Sequence, residues 1–465
     1  MTVKVEKVSI ENEQIVDDIS DVKVVGDVVE NTTPIAGATS TADVNMDKLA
    51  ELKARLNAQK GKEEKKINTH KKSLNYGVIG LGECGGRLAE RFFVCSYPSI
   101  CFNTASADLN NLKLLPASNK FLLASESGLE GAAKTLSIGK DAIDNNIDKV
   151  KNTIREQLSD TNVLFICSSM SGGSGAGSLK SVIDLCQDER KPIVVIAVLP
   201  MTSDDLLAKQ NTLSTISDLS KLIQAKKINN LILVDNTKLE NILSDVNQFM
   251  FFDTANKQIV DPLDIFNTLS SVSGQLSKSM DQVEWAKTLI DSNGISTYGT
   301  IEVDNWIEET AIAEAILNNL NNGLLASGVD IKTASYVSFL VVAPKSIWEK
   351  LPNSSLTYAL SLVNELSDAC KAVYKGYYIN DDLENIKIYS FFSGMGMPLE
   401  RIHGINKEVQ DLEKINKEKD SKRNINLNIN LGTQQDVSEA QKVKDRISAK
   451  NSAFGKLIGS DKRNK

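Results

Sequence analysis

Residues 171–178 read SGGSGAGS and stand directly between an apolar stretch, residues 163–167 (VLFIC), and a helix-like stretch, residues 179–186. A glycine and serine run at the junction of a buried strand and a helix confines the local structure to a strand, a tight loop and a helix start. Small residues let backbone N–H groups approach an anion closely, and the helix start adds the positive end of its dipole. A flexible polar linker of the same composition would not be expected between two such elements. The run is not a Walker loop, because no GK[ST] follows the glycines, although Lys180 comes soon after.

Further strand-like and helix-like stretches alternate along the chain: 77–80 then 87–94, 100–103 then 107–115, 163–168 then 179–186, 193–199 then 206–223, and 231–235. Continuous apolar strands separated by amphipathic helices predict an α/β fold whose parallel sheet is covered on both faces, with ligands at the carboxyl ends of the strands. Beyond residue 280 the expected elements are a helix at 305–320, a strand ending at Pro344, a helix at 357–373 and a strand at 386–392. They form a second, smaller α/β domain. The expected organisation is a polar, largely disordered N-terminal extension (1–74), a parallel-sheet nucleotide-binding domain (75–258), a long central helix (259–280), a C-terminal domain (281–402) and a polar, basic tail (403–465).

With 465 residues, 41% of them hydrophobic, the chain can bury two domain cores. The six cysteines show no CxxC pairing or ligand spacing, which fits reduced packing residues in a cytoplasmic protein. His70 and His403 are the two histidines and lie outside the motifs, so neither a Ser/His triad, nor a histidine-rich metal site, nor histidine general-base chemistry is expected. No run is apolar enough for a membrane span, and the first residues carry no secretory segment. The net charge of −7 is unevenly spread: residues 1–31 are acidic, 51–72 basic, and the last 25 residues hold eight Lys or Arg against two Asp. These arms are either solvated tails or binding segments for DNA or an acidic partner. Residues 47–59 have helical apolar spacing at Leu49, Leu52 and Leu56, suited to docking on a neighbour or to a marginal surface helix.

A second glycine loop, GLGECGG (80–86), also follows a strand and opens a helix. Taken with FNTASADL (102–109) and SGLEGA (127–132), the two glycine loops resemble the tubulin/FtsZ superfamily of filament-forming GTPases in order and spacing. The resemblance covers about residues 75–400 and is nearest to the TubZ and phage-tubulin branch. It implies GTP or GDP with Mg²⁺ as ligand. Gly172, Gly173, Ser174, Gly175 and Gly177 would wrap the phosphates, Ser174 replacing the usual threonine. Gly82, Glu83 and Cys84 would lie near the diphosphate, Asn103 and Thr104 on the second loop, and Gly128 and Gly131 by the terminal phosphate. Arg87 departs from the asparagine common in FtsZ relatives. In VLPMTSDD (198–205) Asp204 takes the ribose position, and in LILVDNTK (231–238) Asn236 takes a guanine-reading one, a carboxamide offering both donor and acceptor. Asn267 on the central helix would complete base recognition, with Asp264 as its competitor.

The stretch MDQVEWAKTLIDSNGISTYGT (280–300) resembles the family's catalytic loop, with Asp281 and Glu284 at its two carboxylate positions. Three residues apart at a helix start, they share one face and can orient one water, accept its proton and help hold a metal ion against a γ-phosphate. An acidic first turn favoured by the helix dipole is the plainer reading of the same pair. In the family this loop completes the site of the next subunit, which implies head-to-tail self-assembly into a filament. The TubZ branch further implies positioning or segregation of plasmid or phage DNA, through an adaptor or DNA held by the basic tail. The alternatives are an FtsZ-like division filament, a scaffold without turnover, and an NAD-dependent oxidoreductase suggested by GxGxxG. The last expects an acid about 20 residues on, where this chain has FNTAS and no acid until Asp108.

Overall fold

A computed structural model describes residues 71–427 apart from 124–127, 273–275, 323–327 and 367–369. The expected extension up to residue 70, its helix-like stretch at 47–59, and the basic tail beyond residue 427 lie outside the described residues. In chain order the elements are β1 (Tyr76–Leu81), α1 (Gly82–Val94), β2 (Ser99–Asn103), α2 (Ser106–Asn111), β3 (Lys120–Leu122), α3 (Leu136–Asp144), α4 (Ile147–Gln157), β4 (Val163–Ser169), α5 (Gly173–Cys186), β5 (Ile193–Leu199), α6 (Leu206–Gln224), β6 (Asn230–Asp235), α7 (Asn236–Ile242) and α8 (Gln248–Leu269). They continue as α9 (Gln282–Ile290), β7 (Gly294–Val303), α10 (Ala311–Asn322), β8 (Tyr336–Ala343), α11 (Lys345–Trp348), α12 (Asn353–Leu366), β9 (Ala372–Ile379), β10 (Ile386–Met395) and α13 (Leu399–Leu427).

One sheet of ten strands runs through the described residues in the order β3-β2-β1-β4-β5-β6-β7-β10-β8-β9. Neighbours are parallel from β3 to β7, and β10 is antiparallel to both β7 and β8. Every residue of β1, β2, β5 and β6 is buried, as the continuous apolar runs predict for strands covered on both faces. Alternate residues feed two cores: Ile79, Ile166 and Val195 face one, Val78, Phe165 and Val194 the other. The strand order reverses between β1 and β4, and a doubly wound sheet opens a crevice there, at the carboxyl ends.

Three expectations are corrected. The central helix begins at Gln248 rather than residue 259, with Asn247 as its side-chain N-cap, and Pro262 lies in its interior. Residues 403–427 are not tail but most of α13, which packs its buried Ile405 and Val409 toward the body and accepts at Glu413 a hydrogen bond from Gln210 of α6. Residues 372–373, expected to end a helix, instead begin the edge strand β9, paired parallel to β8.

Candidate nucleotide site

Helices α1 and α5 start at the carboxyl ends of the adjacent strands β1 and β4, both without a side-chain cap, so their first amides are left for a ligand. The two starts nearly touch. Gly82 has φ +68°, and a Cβ added to it would lie 2.9 Å from the Gly175 backbone nitrogen; one on Gly85 would lie 2.0 Å from the Cys167 carbonyl oxygen. Only glycine lets the loops converge in this way.

Between them lies a cleft of about 400 Å³, lined among others by Gly82, Glu83, Cys84, Gly131, Gly172, Gly173, Ser174 and Gly175. The second loop closes it from the side. The Asn103 Oδ1 accepts from the amides of Thr104 and Ala105, the Thr104 hydroxyl meets the Ser174 hydroxyl at 2.6 Å, and the Thr104 carbonyl accepts from Gly131 N–H at 2.8 Å. Gly128 and Gly131 adopt positive φ, as their loop requires. Burial, and then the neighbouring Glu83 carboxylate, push the Cys84 thiol up to about 12, so it stays protonated and is no nucleophile.

Gly177 serves another purpose. A Cβ there would meet the Leu136 carbonyl at 2.1 Å, so this glycine lets α3 pack on α5 and does not line the cleft. Asp204 accepts from Met201 N–H at 2.9 Å and so folds the turn after β5, while Asn236 is the first residue of α7 at the end of β6. Neither is among the residues that line the cleft.

Asn267 is not at this end of the molecule. Its carboxamide donates to the Leu74 carbonyl and the Tyr97 hydroxyl and accepts from Leu74 N–H, all within 2.9 Å, just before β1 begins. Because α8 starts eleven residues earlier than expected, Asn267 falls in its last turns, at the amino ends of the strands. Asp264, which accepts from Tyr97 and Lys72, lies there too. Truncating Asn267 to Ala strips buried partners and is expected to cost about 1–3 kcal/mol, read as a lower thermal midpoint, while calorimetric GDP affinity stays unchanged.

The part of α8 that reaches the first glycine loop is its second turn. There the exposed Phe252 ring carries the Arg87 guanidinium at 5.1 Å, and Arg87 pairs with Glu83 at 2.7 Å. Lys134, which the sequence reading passed over, also lines the cleft. It and Ala133 both hold positive φ, a strain that clusters at binding sites. Its ammonium lies 2.5 Å from Asp205, and that contact holds the Asp205 carboxyl below the usual range.

Asp281 is the N-cap of α9. Its Oδ1 accepts from the amides of Val283 and Glu284 at 2.8 Å each, and Glu284 Oε2 accepts from the Asp281 amide at 3.0 Å, a reciprocal capping box. Both carboxylates keep a second oxygen outside the box. One turn on, the Trp285 indole donates to the Tyr76 hydroxyl at 2.8 Å, at the first residue of β1. The glycine loop follows the last residue of the same strand, roughly 20 Å away at strand rise.

Residues 75–244 match the tubulin/FtsZ family GTPase domain, and residues 262–406 match the C-terminal domain of TubZ-like tubulin/FtsZ-like proteins. The chain belongs to the tubulin/FtsZ family. It is 24% identical over 410 residues to the tubulin-like protein TubZ of Bacillus cereus, covering 81% of this chain and 92% of that one. It is also 24% identical over 325 residues to the tubulin-like protein CetZ of Pyrococcus abyssi, covering 68% and 85%. The solved GTPγS-form protofilament of TubZ from Bacillus thuringiensis serovar israelensis shares the fold, with a TM-score of 0.68 at 20% identity over 77% of this chain and 96% of that one. The tubulin/FtsZ GTPase domain thus occupies β1 to α7, and the enzyme class is a GTPase. Among the described residues no helix is long and apolar enough to cross a membrane.

Proposed function

We propose that the chain is a GTPase that assembles head-to-tail into filaments, each subunit completing the catalytic site of its neighbour. The observation that carries this reading is the separation of the two halves of the chemistry. The phosphate cleft opens at the carboxyl end of β1, whereas α9, whose start carries Asp281 and Glu284, bonds through Trp285 to Tyr76 at the amino end of that strand. No single subunit brings them together; stacking subunits along that axis does. GTP binds in the cleft with its phosphates on the amides at the starts of α1 and α5, and Asp204 and Asn236 face its ribose and base. Mg²⁺ would be held by the phosphate oxygens of the nucleotide and would neutralise their charge. Among the described residues no cluster of three His, Cys, Asp or Glu is placed to hold an ion by itself. The carboxylates of the incoming subunit orient the attacking water and accept its proton. Hydrolysis then weakens the contact between subunits.

The biological role that fits this chemistry is positioning or segregation of DNA in the cytoplasm. It is supported by the match to TubZ, one solved form of which is a type III plasmid segregation protein, and by the basic charge of residues 441–465. The matches to CetZ and FtsZ relatives support a second reading, a filament serving division or another structural task.

Phosphate release from GTP, followed across protein concentration with light scattering in parallel, tests the shared site. Turnover per subunit is expected to rise sharply above a critical concentration, together with scattering. Turnover proportional to concentration, without scattering, would refute assembly-dependent catalysis. For the DNA role, plasmid DNA is expected to sediment with the filaments at low salt and to be released at high salt; filaments that sediment without it favour the second reading.

A further inference from the structure

The ends of β5 and β6 carry the two loops assigned above to ribose and base, and both are held from outside the GTPase domain by one side chain. Arg401, the third residue of α13, donates from Nε to Asp235 Oδ2 at 2.8 Å and from Nη2 to the Pro200 carbonyl and the Thr237 hydroxyl, each at 3.3 Å. Asp235 is the last residue of β6 and the N-cap of α7, immediately before Asn236; Pro200 opens the turn that Asp204 folds. The pair is secluded, with side-chain exposures of 11% for Arg401 and 2% for Asp235. A second link runs in parallel. Glu408, two turns along α13, pairs with both Arg401 and Lys209, and the buried Lys209 ammonium donates to the Thr202 carbonyl at 2.6 Å. A guanidinium fork that bonds one carboxylate and a carbonyl of the neighbouring loop fixes the distance between them, which a single ammonium could not do.

We propose that Arg401 is a positioning residue for the nucleotide: it sets the spacing of the ribose and base loops and makes that spacing depend on the seating of α13. Residues 414–421 of the helix are exposed throughout, so this stretch is open to a neighbouring subunit that could hold it. Whatever holds this stretch changes nucleotide affinity. By linkage, nucleotide changes the docking of α13 by the same factor. The inference rests on the assignment of the loops after β5 and β6 to the nucleoside.

The test is GDP affinity of the full chain, by calorimetry below the assembly concentration, for Arg401→Lys, for the double variant Arg401→Met with Asp235→Asn, and for Asn236→Ala. The double variant removes both charges of the pair and keeps a capping side chain at residue 235, so it remains measurable if the single variant fails to fold. Both Arg401 variants are expected to weaken GDP about tenfold. Because these loops hold substrate and transition state alike, KM for GTP should rise with kcat nearly unchanged above the assembly concentration. Unchanged GDP affinity together with a lower thermal midpoint would overturn the proposal and leave Arg401 as a pin for α13 alone. If Asn236→Ala loses affinity and the Arg401 variants do not, the coupling fails. If the Arg401 variants lose it and Asn236→Ala does not, the coupling stands and the base-reading assignment of Asn236 fails.

Discussion

In an Asp281→Asn protein, GTP turnover in assembled material is expected to fall by about 10²–10⁴-fold, the usual contribution of a positioned general base, while filaments still form and persist longer. Asparagine is the informative replacement. Asp281 accepts two amides at the start of α9, and Asn caps a helix as well as Asp does, whereas Ala would forfeit about 1 kcal/mol of helix stability. Asp281→Ala therefore mixes a loosened helix with lost chemistry, and Asp281→Asn isolates the charge. Phosphate release and scattering, followed together, read the two effects. Turnover within about twofold of the parent would remove Asp281 from the chemistry and leave the capping box as its whole function.

Replacing Gly82 with Ala is expected to abolish nucleotide binding at micromolar GDP. A side chain at φ +68° costs about 1–2 kcal/mol, and the added carbon would press on Gly175 N at 2.9 Å and Gly175 Cα at 3.2 Å. Overpacking of that kind costs about 1–3 kcal/mol, and here its relief pushes apart the two helix starts that must share one anion. Together the penalties correspond to a loss of at least roughly 30-fold in affinity. Calorimetry with GDP measures it, and circular dichroism checks that the sheet survives. Retained affinity would show that the phosphates do not sit between these loops.

The parallel half of the fold was legible because each of its long strands is a continuous apolar run ending in a polar or glycine loop, as in VLFIC before SGGSGAGS. Both cradle loops were readable for the same reason: glycine at a strand-to-helix junction has few uses. The central helix was misread by eleven residues. Pro262 sits in its interior, where proline ordinarily marks a first turn, and the phenylalanines before it give no cap signal stronger than Asn247. That slip carried Asn267 from a base contact to a buried clasp on residue 74. Strand β9 was hidden because AVYKGYYI holds a lysine and a glycine in its interior and follows a helix that shares its apolar density. Lys134 and Arg401 could not be found from motifs at all. Lys134 is marked by backbone strain, and Arg401 by a partner 166 residues away, and neither leaves a local pattern.

The reciprocal cap on α9 also bears on how fast subunits can join. Each carboxylate is held by the backbone of the other, so under the proposed head-to-tail assembly the pair would meet a neighbour with its torsions already settled. Ordering a rotamer-rich side chain at an interface costs about 0.5–1.5 kcal/mol. Here that ordering is complete in the lone subunit, done by a helix start that would need a cap in any case. In the proposed assembly an approaching end would therefore meet a preformed helix start instead of a loop that must first find its shape.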